Sequence, residues 1–324
     1  MSTAGRARGR IQTRRPGAGI PTTSTRGRGR PVGPLALLQG LTDRDLYLLD
    51  VLAAHRVLTA EQVAALLYPS VDRAQRRLLA LTRRGALERF RARVYPGSQA
   101  WRYTLSYPAV QLLAAGRAER PMSRSAHNAA VLRLARSGTL EHQLGVNGFF
   151  TSLARDAAAR PGTRLASWYS ESTVYDVIKW QYQLAGSVRP DGYGRWIEGS
   201  RTTTFFVEHD RGTESLERLS GKIAAYGTHY PGMTVLFHLH SALRETHFHH
   251  KLLGAGREGI ATTTAELLAA SGEGASGPVW LAGAAGTRRR LRLSELPNSG
   301  FALRINEFSV GTAPIPAPHL PEVA

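Results

Sequence analysis

Cysteine and long apolar runs are missing from this sequence, and lysine is scarce. None of its 324 residues is cysteine, which excludes disulfides and thiolate metal ligands. No apolar run approaches the roughly 18 residues that a membrane-spanning helix needs. The Arg-rich N-terminus also lacks the apolar segment of a secretory signal. We therefore expect a soluble cytoplasmic protein with no membrane partner.

Positive charge is abundant although lysine is not. Three Lys stand beside 39 Arg, and the net charge is +18. Residues 1–34 contain eight Arg and no acidic residue, and residues 35–120 contain thirteen basic and seven acidic residues. The first third of the chain therefore stays basic even without its tail. A balance this basic favours a polyanionic partner, and double-stranded DNA in the first place.

Composition divides the chain into four segments. Residues 1–34 have almost nothing apolar to bury, so they are predicted to be a disordered tail that either contacts DNA or only adds solubility. Residues 35–120 and 125–297 contain ordinary apolar patterns and are predicted to form two folded domains. Residues 298–324 are Pro-rich and predicted to be a loose tail.

Local signals in the first domain predict three short helices. Thr42 with Asp45, and Thr59 with Gln62, have the spacing of capping boxes that open two of them. The third is expected over residues 71–84, ended by the glycine that follows. Two strands, over 87–94 and 101–105, would complete a winged helix-turn-helix, and a further helix is predicted over 107–116.

Arginines are expected to carry the contacts of this first domain with DNA. The guanidinium fork reaches phosphate oxygens or guanine edges with two parallel hydrogen bonds. Arg89 and Arg102 are placed on the wing. The side chains predicted to bind DNA, from the third helix and the wing, are Arg73, Arg76, Arg77, Arg83, Arg84, Arg91 and Arg93. The alternative is a protein-binding winged helix with a solvated basic face.

The second domain is predicted to be a mixed α/β fold. Helical periodicity and strand-rich runs alternate along it, which implies helices packed on a mixed sheet. Helices are expected over 127–136, 139–160, 214–226, 241–253 and 262–270. Strands are expected over 163–174, 178–184, 188–196, 203–209, 233–240 and 279–281.

Acidic residues on two of these strands indicate a candidate site. Glu208 and Asp210 end an apolar strand and, by the period of two, point to one face. Asp191 follows Pro190 on the preceding strand. Three carboxylates form a hard oxygen site of the kind that suits Mg²⁺ or Mn²⁺, so these three are the predicted metal ligands.

This pattern resembles the PD-(D/E)XK nuclease superfamily. Those enzymes hold a metal with an Asp on one strand and an acidic residue on the next, followed two residues later by Lys. Here Pro190-Asp191 and Glu208 match, but Asp210 stands where the Lys is expected. The resemblance implies that Lys222, on the following helix, supplies the missing charge if that helix packs back on the sheet. The accessory residues that we propose for such a site are Glu141, His142 and Arg211.

A second resemblance covers more of the chain. The segments RPDGYGRW, FFVEHDRGTESLERLSGKIAAY, EHQLGVNGFF and LTDRDLYLLDVLAAHRVLTAEQVAALLYP are similar to the plasmid-associated replication-relaxation family, over roughly residues 40 to 285. This resemblance implies a role in plasmid replication, DNA relaxation or mobilisation. It also implies a nuclease-like C-terminal fold, and other plasmid replication or transfer proteins as partners.

Two hypotheses follow from the sequence. In the first, the protein is a divalent-metal-dependent phosphodiesterase, a DNA endonuclease or nickase, with Asp191, Glu208, Asp210 and Lys222 as its catalytic residues. In the second, it is a non-catalytic winged-helix replication or transcription regulator with a degenerate nuclease fold. Whether the carboxylates converge on an ion, or are taken up by arginines, separates the two.

Overall fold

The fold is described from a computed structural model, which covers residues 22–24, 33–91, 98–182, 188–252, 259–283 and 289–297. The first part of the chain contains, in order, β1 (Thr22–Ser24), α1 (Pro34–Leu38), α2 (Asp43–His55), β2 (Leu58–Thr59), α3 (Ala60–Leu67), α4 (Val71–Arg84), β3 (Leu87–Arg91), β4 (Arg102–Leu105) and α5 (Tyr107–Gly116).

Capping explains where the first helices begin and end. The Thr42 hydroxyl accepts from the backbone N–H of Asp45, whose carboxylate accepts from the Thr42 N–H at 2.8 Å. The same reciprocal pair opens α3. At the other end of α4, Gly85 adopts a φ of 82°, the left-handed conformation that favours glycine. The three predicted helices are therefore confirmed, with their predicted boundaries within one or two residues.

The first sheet is small and antiparallel, in the order β1-β3-β4-β2. Its hairpin β3–β4 lies where the wing was predicted, and the turn over 92–97 lies outside the described residues. Strand β1 comes from the predicted N-terminal tail and pairs with β3, with Thr22 opposite Arg91. Most of the predicted tail, and all of residues 298–324, lie outside the described residues.

The second part contains, in order, α6 (Arg124–Arg136), α7 (Leu140–Ala159), β5 (Thr163–Ser170), α8 (Glu171–Tyr182), β6 (Gly192–Glu198), β7 (Arg201–Asp210), α9 (Leu216–His229), β8 (Thr234–Leu239), α10 (Ala242–Leu252), β9 (Ile260–Thr264), α11 (Ala265–Ala270), β10 (Trp280–Ala282) and β11 (Arg290–Leu291). Across the described ranges, every helix is too short or too polar to span a lipid bilayer.

Seven of these strands form one mixed sheet, in the order β11-β10-β9-β8-β7-β6-β5. The hairpin β6–β7 is antiparallel, whereas β8 runs parallel to β7 and to β9. One buried cluster joins α7 to the sheet, and another joins α8, α9 and α10 to it. The mixed α/β class is therefore confirmed, with the ends of β7 and β8 between two layers of helices.

Predictions for this part were wrong in two stretches of the chain. The strand predicted over 163–174 ends at Ser170, and residues 178–184 were predicted to be a further strand, yet the described residues from Glu171 to Tyr182 form α8. Val174, Val177 and Ile178 are β-branched and typical of strands, but their spacing places them on one buried helix face.

The helix predicted over 262–270 was also wrong in its first three residues. Residues up to Thr264 form the buried strand β9, and the Thr264 hydroxyl caps α11 by accepting from the Leu267 N–H.

The two parts of the chain pack closely against each other. The largest buried cluster contains Val63 of α3 together with Phe149 of α7. The Asn147 side chain donates to the backbone carbonyls of His55, at 3.2 Å, and Val57, at 2.7 Å. The His55 ring also stacks on Trp168, with centroids 3.5 Å apart. Helix α7 is thus bonded both to the first part and to the large sheet.

Candidate functional site

An acidic cleft of about 330 Å³ lies where α7, α9 and the ends of β6 and β7 meet. Most of its lining residues are polar, because the last side chains of β7 and the residues around them are acidic, basic or hydroxyl-bearing. Its charged or titratable lining residues include His142, Asp191, Glu208, Asp210, Arg211, Glu214 and Lys222. The cleft therefore contains all four predicted catalytic residues.

Asp191 lies just before β6, where its backbone N–H donates to the Val207 carbonyl at 3.0 Å. One carboxylate oxygen accepts from the backbone N–H of His209 at 2.8 Å, and the other lies 3.0 Å from His142 Nε2. The hydrogen bond to Asp191 raises the pKa of His142, against the effect of burial. His142, predicted only as an accessory residue, is therefore a direct partner of Asp191.

Glu208 is buried on β7 between two residues of α9. Lys222 Nζ lies 2.7 Å from one of its carboxylate oxygens, and the Tyr226 hydroxyl donates to the other. Burial, together with the nearby Asp191 carboxylate, raises the pKa of Glu208 to about 8. Helix α9 thus packs back on the sheet as the resemblance required, and it brings Lys222 to the predicted acidic pair.

Lys222 bridges two carboxylates. Its ammonium lies 3.1 Å from Glu214 as well as close to Glu208. Burial works to lower the pKa of Lys222, but the Glu208 and Asp191 carboxylates overcome it and raise that pKa. The lysine is therefore an ammonium ion at neutral pH, with two acidic partners.

Asp210 differs from the other two carboxylates. Arg244 of α10 donates to it from Nε at 2.7 Å, and the Gly212 N–H donates at 2.9 Å. The same arginine also bonds the Glu214 carbonyl at 2.6 Å. Asp210 is therefore engaged by α10 instead of completing an ion site. Over the described residues, no group of three or more His, Asp or Glu side chains is placed to hold a metal ion.

A pair of histidines lies on the opposite face of β7 and β8. His209 Nδ1 and His238 Nδ1 are 3.0 Å apart, and burial lowers their pKa values to about 4 and about 3. Helix α7 approaches this pair so closely that a Cβ on Gly145 would lie 2.0 Å from His209 Nε2. The glycine in the EHQLGVNGFF segment is thus needed for α7 to reach the sheet, and with it His142.

The two remaining accessory residues, Arg211 and Glu141, lie in different places. Arg211 is exposed and lines the cleft, as expected. Glu141 does not line it, since its carboxylate lies 2.9 Å from Arg102 on the wing. Neighbouring positions on a helix point about 100° apart, so His142 reaches the cleft while Glu141 faces the first part of the chain.

The predicted DNA-binding arginines also divide into groups. Arg77 of α4 bonds Asp45 of α2, at 2.8 Å through Nε, so it ties two helices together. Arg102, placed on the wing, is buried against Glu141. Arg91 lies over Trp101, and Arg93 lies outside the described residues. The other α4 arginines are exposed: Arg73, Arg76, Arg83 and Arg84, the last of which lays its guanidinium against Gly40.

A comparison with known protein families shows which family the chain belongs to. A family model described as Replication-relaxation matches residues 49–232, more than half of the chain. The chain belongs to the replication-relaxation family. The match begins in α2, covers α4 and the wing, and ends after α9, so this replication-relaxation protein carries both the exposed arginines and the cleft within the family region. Neither the curated proteins nor the solved structures compared with it give a significant match.

Sequence reasoning missed three residues that contact the predicted site residues of this replication-relaxation protein: Glu214, Tyr226 and Arg244. Glu214 and Tyr226 lie in the helix predicted over 214–226 and Arg244 in the helix predicted over 241–253, but none of them was singled out for the site. A tyrosine at the end of an apolar stripe, four residues after a lysine, lies one helical turn beyond that lysine and can reach the same acceptor. For Arg244, 34 residues beyond Asp210, no local signal was available.

Proposed function

We propose that this replication-relaxation protein binds double-stranded DNA through the exposed arginines of α4 and acts in plasmid replication, relaxation or mobilisation. One observation carries the DNA-binding proposal: α4 buries Ala74, Leu78 and Leu81 and leaves a row of arginines in solvent. Family membership supports the plasmid context.

The charges on this row are not neutralised inside the protein. Among the described residues, none of the four exposed α4 arginines forms a salt bridge, whereas Arg77 on the same helix does. Guanidinium groups that are not held in salt bridges can contact phosphates and base edges along one groove. Phosphate contacts alone would give affinity without sequence preference, because they carry no base information.

The test is a titration of a labelled DNA duplex, followed by fluorescence anisotropy. Arg73→Gln and Arg76→Gln should each weaken binding at about 0.1 M salt by roughly tenfold, if each removes one phosphate contact. Arg155→Gln is the matched control, since Arg155 is an exposed arginine on α7. Equal affinities for the α4 variants and the control would contradict the proposal.

A second candidate function is metal-assisted hydrolysis of a phosphodiester in the cleft. The observation that favours it is that Asp191 and Glu208 line the same cleft, with the Lys222 ammonium between Glu208 and Glu214. Asp191 and Glu208 would be the two carboxylate ligands for Mg²⁺ or Mn²⁺, and Glu208 would exchange its bond to Lys222 for the cation. Asp210, bonded by Arg244, would not be a third ligand.

In this candidate, a bound cation would supply an activated water and neutralise charge on the phosphate. The chain's own residues supply the rest. His142 orients the Asp191 carboxylate, and Tyr226 and Lys222 orient that of Glu208. Arg211, exposed at the rim, is placed to bind a neighbouring phosphate.

Supercoiled plasmid incubated with the protein and Mg²⁺ or Mn²⁺ tests this candidate. Nicking should depend on the cation and disappear in the variant that carries both Asp191→Asn and Glu208→Gln. Glu217→Gln, which removes an exposed carboxylate paired with Lys251, should nick like the wild type. No nicking by the wild type, or equal nicking by the double variant, would leave DNA binding as the only function.

A further inference from the structure

The β3–β4 wing carries an aromatic ring between two arginines. In the register of the hairpin, Arg89 pairs with Tyr103 and Phe90 with Arg102, which puts Arg91 and Trp101 on the same face as Arg89. The guanidinium carbons of Arg89 and Arg91 lie 4.1 and 4.3 Å from the centroid of the Trp101 ring. Both arginines are therefore held against one indole.

The other face of the wing is already occupied. Phe90 belongs to a buried cluster with Leu144 of α7, and Arg102 pairs with Glu141 of the same helix at 2.9 Å. Glu88, on that face too, lies 3.7 Å from His127 of α6. This face therefore packs on the second part of the chain. On the face with Trp101, Arg89 and Arg91 stay half-exposed.

The two cations on this ring repel each other and have no carboxylate partner. Over the described residues, neither Arg89 nor Arg91 forms a salt bridge. An indole face attracts a guanidinium, which can lie flat on the ring while its N–H groups point outward. A phosphate bound by both arginines would offset their repulsion, whereas a neutral partner would not.

We propose that Trp101 is a positioning residue, which holds Arg89 and Arg91 in place to bind the phosphate backbone of DNA next to α4. This inference rests on the proposed DNA binding, and it adds to it the residue that organises the wing. Arg89 is fixed further by a side-chain hydrogen bond with Tyr103, so it should keep part of its orientation when the indole is removed.

The test is a double-mutant cycle on DNA affinity, measured by anisotropy over a range of salt concentrations. Arg89→Gln with Arg91→Gln should lower the salt slope by about 1.8, because two phosphate contacts are lost. Trp101→Leu should weaken binding by roughly three- to tenfold, and Trp101→Phe, which keeps an aromatic face, by less than about twofold. In a protein that already carries Arg89→Gln and Arg91→Gln, Trp101→Leu should cause no further loss of DNA affinity.

Each other outcome overturns the inference. If Trp101→Leu weakens binding as much without the two arginines as with them, the indole acts through the fold and not through the guanidiniums. If the Trp101→Leu variant binds DNA like the wild type, the Trp101 indole does not position the two arginines. Trp101→Met is measured alongside, with thermal unfolding of every variant, so that a folding defect in one substitution leaves the other informative.

The same titrations separate this inference from the proposed function. Absence of DNA binding by the wild type overturns both. Binding that is lost in the α4 variants but unchanged in the wing variants overturns only the role of Trp101. Binding that depends on the wing but not on Arg73 or Arg76 overturns the placement of DNA on α4.

Discussion

Arg244 Nε lies 2.7 Å from Asp210 Oδ2. Asp210 occupies the position where the resemblance to metal nucleases calls for lysine. The carboxylate is buried, and the arginine comes from a helix that follows the next strand. The pair therefore fastens α10 to the end of β7. With its carboxylate bonded by Arg244, Asp210 is not free to act as the third metal ligand that the sequence predicts.

Arg244→Met should destabilise the protein by about 3 kcal/mol or more, because it leaves a buried carboxylate without its cation. Urea denaturation at neutral pH measures the loss. Combining Arg244→Met with Asp210→Asn should restore much of the stability, since the unpaired charge is then gone. A loss for the double variant as large as for the single one would show that the ion pair is not what Arg244 contributes.

The site shows what the sequence could predict and what it could not. Alternation along a strand put Glu208 and Asp210 on one face, and the resemblance to metal nucleases pointed to Lys222 on the following helix. Which basic group each carboxylate meets depends on how α9 and α10 cross the sheet. That crossing is set by packing among residues distant in the chain, so the sequence alone left both pairings open.

Stability should fall in acid because of a buried histidine. His55 is buried, its two ring nitrogens have no hydrogen-bond partner among the described residues, and burial lowers its pKa to about 3. Its pKa in the unfolded chain is about 6.5, so below that pH the unfolded state binds a proton that the folded state rejects. The free energy of unfolding should therefore drop by up to about 1.4 kcal/mol per pH unit from this residue.

His55→Phe should remove this loss of stability in acid while keeping a ring that stacks on Trp168. Urea titrations between about pH 7 and pH 4 compare the two proteins. The wild type should lose stability more steeply than the variant over that range. Parallel curves would mean that His55 is already protonated, or reaches water, in the folded protein.

Asn147→Leu should loosen the contact between the two parts of the chain. The substitution leaves the buried Val57 carbonyl without the Asn147 donor, while the His55 carbonyl still accepts from the Val57 N–H at 2.8 Å, so the loss should be roughly 1–3 kcal/mol. Ser152→Ala is the control on the same helix, because that hydroxyl bonds only a carbonyl within α7. Urea denaturation should show a large loss for the first variant and a small one for the second. Equal losses would contradict a specific role for Asn147.

Local signals decided which elements could be predicted in advance. The capping pairs of α2 and α3 and the glycine after α4 act within a few residues, and all three helices were predicted correctly. Helix α8 was missed because its β-branched residues favour a strand by type, and burial against the sheet overrides that preference. Contacts such as Asn147 with Val57 link positions 90 residues apart and leave no local trace.

The salt dependence of DNA affinity is the sharpest test of whether DNA binds through α4. The wild type is compared with a variant in which the four exposed α4 arginines become glutamine. A control variant of equal charge carries glutamine at four arginines that are exposed elsewhere: Arg133, Arg136, Arg155 and Arg195. If DNA binds through α4, the slope of log affinity against log salt falls by about 3 to 4 in the α4 variant and stays near the wild-type value in the control. Equal slopes for the two variants would contradict DNA binding through α4.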